Sequence, residues 1–294
     1  MLAHIVAVEF EELLGASAAI ISIAVLISAS IKDQKDREVP DTHWAILGVA
    51  GMILFFFYSV NLTGFRQEYI LLAAGTVMIL IDILWEKEFN PFVFYFIMAI
   101  LFIVPLYGNL SEGIFRAWAS IPLCYLIYVG MYVFGVIRGG ADVKCLIALS
   151  ITFPNYPMYF GLPIIGAGDL LFSQIFVSSI SILFFAAAMS VPVALYYGLR
   201  NAKEGSFSGK MFSGYSLAIS EAEKAYVWPL EDIIDGELAP IKIPDEEDIE
   251  SIYSRLKEAG QERVRVTHMI PFVVPITAAT IMVLLIGNPL FLFF

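Results

Sequence analysis

The sequence predicts an all-α polytopic membrane protein with about eight hydrophobic segments, one of them broken or re-entrant, and a small α+β cytoplasmic insertion. Three observations lead there. Of 294 residues, 59% are hydrophobic and 15% charged, whereas a soluble domain carries about 25% charged residues. Seven charge-free runs (13–31, 44–65, 89–111, 117–137, 145–168, 170–199 and 269–294) and an eighth, 69–85, interrupted only by Asp82, have membrane length. Spanning takes roughly 17–25 apolar residues as a helix, which satisfies its own backbone polar groups in lipid. Third, one long hydrophilic stretch, 200–268, interrupts this pattern.

The division expected is a membrane catalytic domain over 1–199, a soluble insertion over 200–268 and a last transmembrane segment over 269–294. The first run is read as a retained span, because Glu9, Glu11 and Glu12 stand where a cleavable signal peptide needs bases. Basic residues set the orientation. With the N-terminus outside, the inner loops hold Lys32, Lys35, Arg37, Lys87, Arg138 and Lys144, and 200–268 adds nine more bases. The outer loops keep Arg66 and Arg116. The sixth run is the broken one: Pro154, Pro157 and Pro163 predict that the helix opened by Asp142 ends near Phe153, with irregular backbone beyond.

In the insertion, "KMFSGYSLAIS", "KAYVWPLEDII" and "GELAPIKIP" read as short strands between turns. "PDEEDIESIYSRLKEAG" reads as a helix with Pro244 and acids at its start and Gly260 at its stop. Ile249, Ile252, Tyr253 and Leu256 share one face of it. The stretch has 14 acids against 9 bases, an excess that suits a basic peptide or is simply solvated. Cys124 and Cys145 offer neither a disulfide framework nor a metal-ligand spacing, and His4, His43 and His268 are scattered. No metal and no cofactor are expected. A net charge of −11 argues against a nucleic-acid partner.

Four acids lie in or beside the apolar runs: Asp33, Asp82, Asp142 and Asp169. Acids in such settings are functional hypotheses because the bilayer makes them costly. Asp142 follows Gly139-Gly140-Ala141 and reads equally as a helix cap or a catalyst. Asp33 sits just beyond the first run, among solvated charges, at the same membrane depth as Asp142. Two carboxyl groups at one depth can share a proton, and such a pair can activate water and protonate a leaving nitrogen. Asp169 follows Gly166-Ala167-Gly168 but falls at the outer face, about 30 Å from Asp33, where it reads as a cap. Asp82 is a candidate cavity acid, or one that reaches the headgroups.

"DQKDREVPD" resembles the Asp-x-x-x-Arg-x-(Ile/Val)-Pro-Asn pattern of type IV prepilin peptidases, and "GGADVKCLIALSITFP" resembles their Gly-x-Gly-Asp motif followed by Val-Lys. Ala before the Asp is common in the archaeal preflagellin (prearchaellin) and prepilin peptidases, GxGD-type intramembrane aspartic proteases. The tail "VTHMIPFVVPITAATIMVLLIGNPL" is similar to their closing segment. The resemblance implies catalytic roles for Asp33 and Asp142, supported by Arg37, Pro40, Gly139, Gly140, Ala141 and Lys144. Asp41 stands where Asn is usual, a change expected to leave helix capping intact. Ala141 replaces the motif's second Gly, acceptable where φ is negative. The implied activity is removal of the short basic leader from archaellin or pilin-like precursors at the cytoplasmic face of the plasma membrane, without metal. A proton-coupled transporter using intramembrane acids, or a non-catalytic archaellum or pilus assembly factor, is the alternative.

Overall fold

The computed structural model describes residues 2–85, 90–166, 177–203, 205, 211–244 and 246–292. The chain divides into two compact units, Met1–Ala187 with Pro271–Phe294, and Ala188–Ile270. In the first unit lie α1 (Leu2–Asp36), α2 (Thr42–Thr63), α3 (Gln67–Leu84), α4 (Pro91–Leu106), α5 (Gly113–Val133) and α6 (Gly140–Thr152). Helix α7 (Ser178–Lys203) begins in this unit and continues into the second, and Val273–Leu285, labelled α10 below, completes the first.

Each of the eight expected apolar runs therefore contains a helix. Among the described residues, five helices are long and apolar enough to cross a membrane: Val8–Asp36, Thr42–Thr63, Gln67–Leu84, Gly113–Val133 and Ser178–Lys203. Three are shorter than the runs suggested, for local reasons. Helix α4 opens on Pro91 with Asn90 capping Val93 N–H, and contains Pro105 before Gly108 turns at φ 82°. Helix α10 follows Pro271 and stops before Gly287, at φ 90°. Helix α6 ends at Thr152 with Phe153 as its cap, as the prolines beyond it require. The helices pack on aromatic and aliphatic side chains such as Trp44, Trp118, Tyr69 and Leu146, all fully buried, while Ile20, Phe92 and Phe134 face outward.

Two features set helix positions around α6. Gly51 on α2 meets α6 so closely that an added Cβ would lie 2.6 Å from the Thr152 Cα, and the Thr152 hydroxyl donates to the Leu47 carbonyl at 3.1 Å. Beyond α6, the irregular segment closes the far end of α10. Ile164 and Ile165 N–H donate to the Leu285 and Ile286 carbonyls, and the Tyr159 hydroxyl donates to Leu284 O. These are carbonyls that a helix C-terminus leaves unpaired, here met by donors of the same unit.

The second unit holds β1 (Tyr215–Ala218), the single turn α8 (Ile219–Ala222), β2 (Val227–Pro229), β3 (Glu231–Ile234), β4 (Glu237–Pro240), α9 (Ile249–Glu258) and β5 (Arg263–His268), with α10 following it in the chain. One antiparallel sheet has the order β1-β5-β2, and β3 pairs with β4. The expected strands and the helix are present. Ile252, Tyr253 and Leu256 of α9 are buried, Ile249 packs beside them, and Gly260 ends the helix at φ 74°. Strand β5 is an addition: Val264 and Val266 point into the core while the intervening arginines point out.

Arg255 of α9 clamps Asp232 of β3 through Nε at 3.0 Å and Nη2 at 2.6 Å, and this holds the Asp232 carboxyl below its ordinary range. A lowered carboxyl contributes stability above the unfolded value of about 3.9 and loses it as pH falls through the folded value. Arg255→Ala is expected to speed hydrogen exchange of the β3 and α9 amides near neutral pH by the equivalent of about 1 kcal/mol, given the exposed arginine, with the effect shrinking as pH falls below the ordinary carboxylate range. At the α2–α6 crossing, Gly51→Val should cost about 1–3 kcal/mol through overpacking. Gly130→Ala, inside α5 with nothing within 4 Å of the added methyl, should leave the melting temperature in detergent equal to the parent's or raise it, since Ala favours a helix interior over Gly.

Candidate active site

Helix α1 runs further than its apolar stretch and ends at Asp36, so Asp33 lies in its last turn instead of just past a span. Lysine and glutamine are good helix formers and carry the weaker aspartates along once packing has started the helix. The stop comes at Arg37, whose left-handed backbone (φ 58°) turns the chain ahead of Pro40. Pro40 O then accepts the His43 N–H as α2 begins.

The Asp33 side chain, 9% exposed, accepts the Val273 N–H at 3.2 Å, at the first residue of α10. An N–H at a helix N-terminus carries partial positive charge and suits a carboxylate. Arg37 lies within coulombic reach of the same group. Nearby, Ser30 Oγ and Thr277 Oγ1 are 2.7 Å apart, a second tie between α1 and α10.

Asp142 stands in the first turn of α6, with Gly139 as the cap residue, so the acid itself is not the cap. Its carboxyl folds back over Gly139: a Cβ added there would lie 2.9 Å from the Asp142 Cγ and in hard contact with Oδ2. Gly139 has an ordinary φ of −73°; it is the space that demands glycine. Nothing lies within 4 Å of a Cβ at Gly140, and Ala141 takes a helical, negative φ, as its substitution for glycine requires.

The structure brings Asp33 and Asp142 within electrostatic reach of one another, with the buried Cys145 one turn along α6 from Asp142. The two acids come from the end of α1 and the start of α6, at the same end of the helical unit. Lys144 extends from α6 to Asp41, its ammonium 2.7 Å from each carboxylate oxygen. Asp41 makes no side-chain bond to the first turn of α2. The expected capping role is therefore replaced by an ion pair, because a full carboxylate finds a stronger partner in the ammonium than in an N–H.

Asp82 is elsewhere. Its oxygens accept the hydroxyls of Tyr95 at 3.1 Å and Tyr125 at 2.5 Å, which joins α3 to α4 and α5. Asp169 lies outside the described residues. Among the described residues, no group of His, Cys, Asp or Glu is arranged to hold a metal. A cavity of about 170 Å³ lined by Glu12, Tyr58, Asn155 and Met158 lies toward the other end of α1, about 30 Å along the helix from Asp33 at 1.5 Å per residue. Sequence reasoning missed Val273 as a partner of Asp33. The signal available was a helix start following Pro271, but nothing in the spacing said which acid it would meet.

Residues 209–288 match the family model described as Archaeal Peptidase A24 C-terminus Type II. The chain is also 23% identical over 236 residues to a preflagellin peptidase from Methanococcus maripaludis, an alignment that covers 75% of this chain and 95% of that protein.

Removing one phenol from Asp82 leaves a carboxylate oxygen without its donor in an apolar setting. Tyr125→Phe is expected to cost about 1–3 kcal/mol, read as a lower midpoint of unfolding in mixed micelles. Tyr95→Phe, at the longer and more exposed bond, should cost less.

Proposed function

Taking the chain as a member of the archaeal prepilin and preflagellin peptidase family, which both matches support, we propose that it is a membrane aspartic endopeptidase. Its substrates are archaellin or type IV pilin-like precursors, from which it removes the short basic leader. What supports this reading is that Asp33 and Asp142, which come from two separate motifs, lie within electrostatic reach of one another. Their depth follows from position: the last turn of α1 and the first turn of α6 adjoin the base-rich loops, which belong to the cytoplasmic side. A precursor lying in the bilayer with its leader in the cytoplasm would present its scissile bond at that level.

Two adjacent carboxyl groups do not both ionise readily. Asp33, with the Val273 N–H and the Arg37 charge beside it, is the partner suited to be the anion, and Asp142 the one that holds the proton. Asp33 takes a proton from water as the water oxygen bonds to the scissile carbonyl carbon. Asp142 then supplies the proton that the leaving nitrogen needs as the C–N bond breaks, and the proton on Asp33 restores the pair. Each step is general acid–base catalysis by the two carboxyl groups, with no covalent intermediate.

The test is leader loss from candidate precursors incubated with membranes containing the protein, read as a mass shift. Asp33→Asn and Asp142→Asn should each lower cleavage about 10³-fold, within the usual range for acid–base groups, in protein that still folds. Gly139→Ala, whose methyl takes the space of the Asp142 carboxyl, should cost about 100-fold. Asp169→Ala should cleave normally. The rate should fall at both pH extremes, since one carboxyl must be ionised and the other protonated. Cleavage that survives either dyad substitution sinks the assignment; proton-driven uptake without cleavage favours a transporter, and precursor binding without cleavage an assembly factor.

A further inference from the structure

Helix α6 reaches the neighbourhood of Asp33 by way of α2. Helix α1 is joined to α2 by the short turn 37–41 and packs along it, and α2 in turn packs along α6. Two points fix α6 on α2. One is the Gly51–Thr152 crossing, with the Thr152 hydroxyl on Leu47 O. The other is the Lys144–Asp41 pair, with both oxygens at 2.7 Å from the ammonium. Lys144 and Thr152 are eight residues apart and so share a face of the helix. The crossing is at the end of α6 away from Asp142, while the ion pair is two residues from it. Apolar packing of Val143, Cys145 and Leu146 also holds the start of α6, but a van der Waals contact tolerates small shifts that a charged pair at 2.7 Å does not.

Resting on the peptidase reading above, we infer that Asp41 and Lys144 are positioning residues. Their ion pair holds the first turn of α6 against the start of α2, so that Asp142 meets Asp33 in a reactive geometry. The pair is partly exposed, 27% for the Lys144 side chain and 44% for Asp41, so solvent screens it and it contributes little to stability. Catalysis is far more sensitive to position: misplacement by about 1 Å can cost 100-fold. A device of this kind therefore acts on turnover and hardly on unfolding, which separates it from an ordinary structural contact.

The experiment uses the full chain in lipid vesicles, with precursor cleavage followed at steady state. Asp41→Asn and Lys144→Met should each lower kcat about 10- to 100-fold, with KM within threefold and the melting temperature within about 2 °C of the parent. The exchanged double variant, Asp41→Lys with Lys144→Asp, should recover most of the lost kcat. Parental kcat in both single variants overturns the inference. So does a raised KM at unchanged kcat, which would make these residues precursor contacts, or a double variant no better than the worse single one. A second measurement does not depend on cleavage: spin labels at Gln34→Cys and Gly140→Cys, both exposed positions, report the distance between α1 and α6. The single variants should shift or broaden that distance and the exchange should restore it; an unchanged distance overturns the inference. A parent protein that cleaves no precursor sinks the peptidase reading, and the distance then decides the clamp by itself.

Discussion

A carboxyl group among apolar helices is costly unless donors or opposite charge meet it, and this fold meets that cost across helix pairs. Asp33 of α1 takes the first N–H of α10, Asp82 of α3 takes hydroxyls from α4 and α5, and Asp41 at the head of α2 takes the ammonium of Lys144 on α6. Each bond joins different helices, and all but the Tyr95 bond join helices that are not neighbours in sequence. Tolerating the acids and choosing which helices touch are thus one requirement. An apolar surface alone specifies neighbours weakly in lipid, where side chains find similar contacts in every direction, so these few polar bonds carry much of the specificity.

Backbone groups obey the same rule. Helix α10, with 13 residues, is met at both ends by other parts of its unit. Its first N–H goes to Asp33, and its last carbonyls take donors from the segment 159–165. The chain from Asp142 to Ile165 consequently runs the length of α10, partly as helix α6 and partly as irregular backbone. Non-helical chain is tolerated at such depth where protein buries it and supplies its partners. The prolines after Phe153 make that segment irregular, and the end of α10 makes it stable.

Much of the fold was legible because periodicity and breakers are local. The stop of α6 follows from its prolines, the buried face of α9 from apolar spacing, and the eight apolar runs from composition alone. Partners across helices were not legible. Asp82 could be read as lining a cavity or reaching the headgroups, but neither reading contains Tyr95 or Tyr125, which sit on other helices. Asp41 was read from its place before α2 as a cap, and only the packing of α6 on α2 brings Lys144 to it. Strand β5 had a readable signal in the alternation of arginine and valine, obscured by the apolar run that follows. For the candidate site, the acids and their common depth could be argued from sequence. The N–H that Asp33 accepts could not, because it depends on a helix 240 residues later in the chain.

The small residues before Asp142 meet separate needs, and only one of them demands glycine. An acid at the third position of a helix folds back over the cap residue, so the cap position is where a side chain would collide. That position is Gly139, and the collision would be with the carboxyl itself. Ala141, next to the acid, lies in regular helix with its methyl packed against the apolar core, and its backbone is unstrained. A string that asks for glycine immediately before the aspartate therefore tests the wrong position in this chain. Three residues earlier, the glycine is fixed by geometry, because any Cβ there would take the room in which the carboxyl sits.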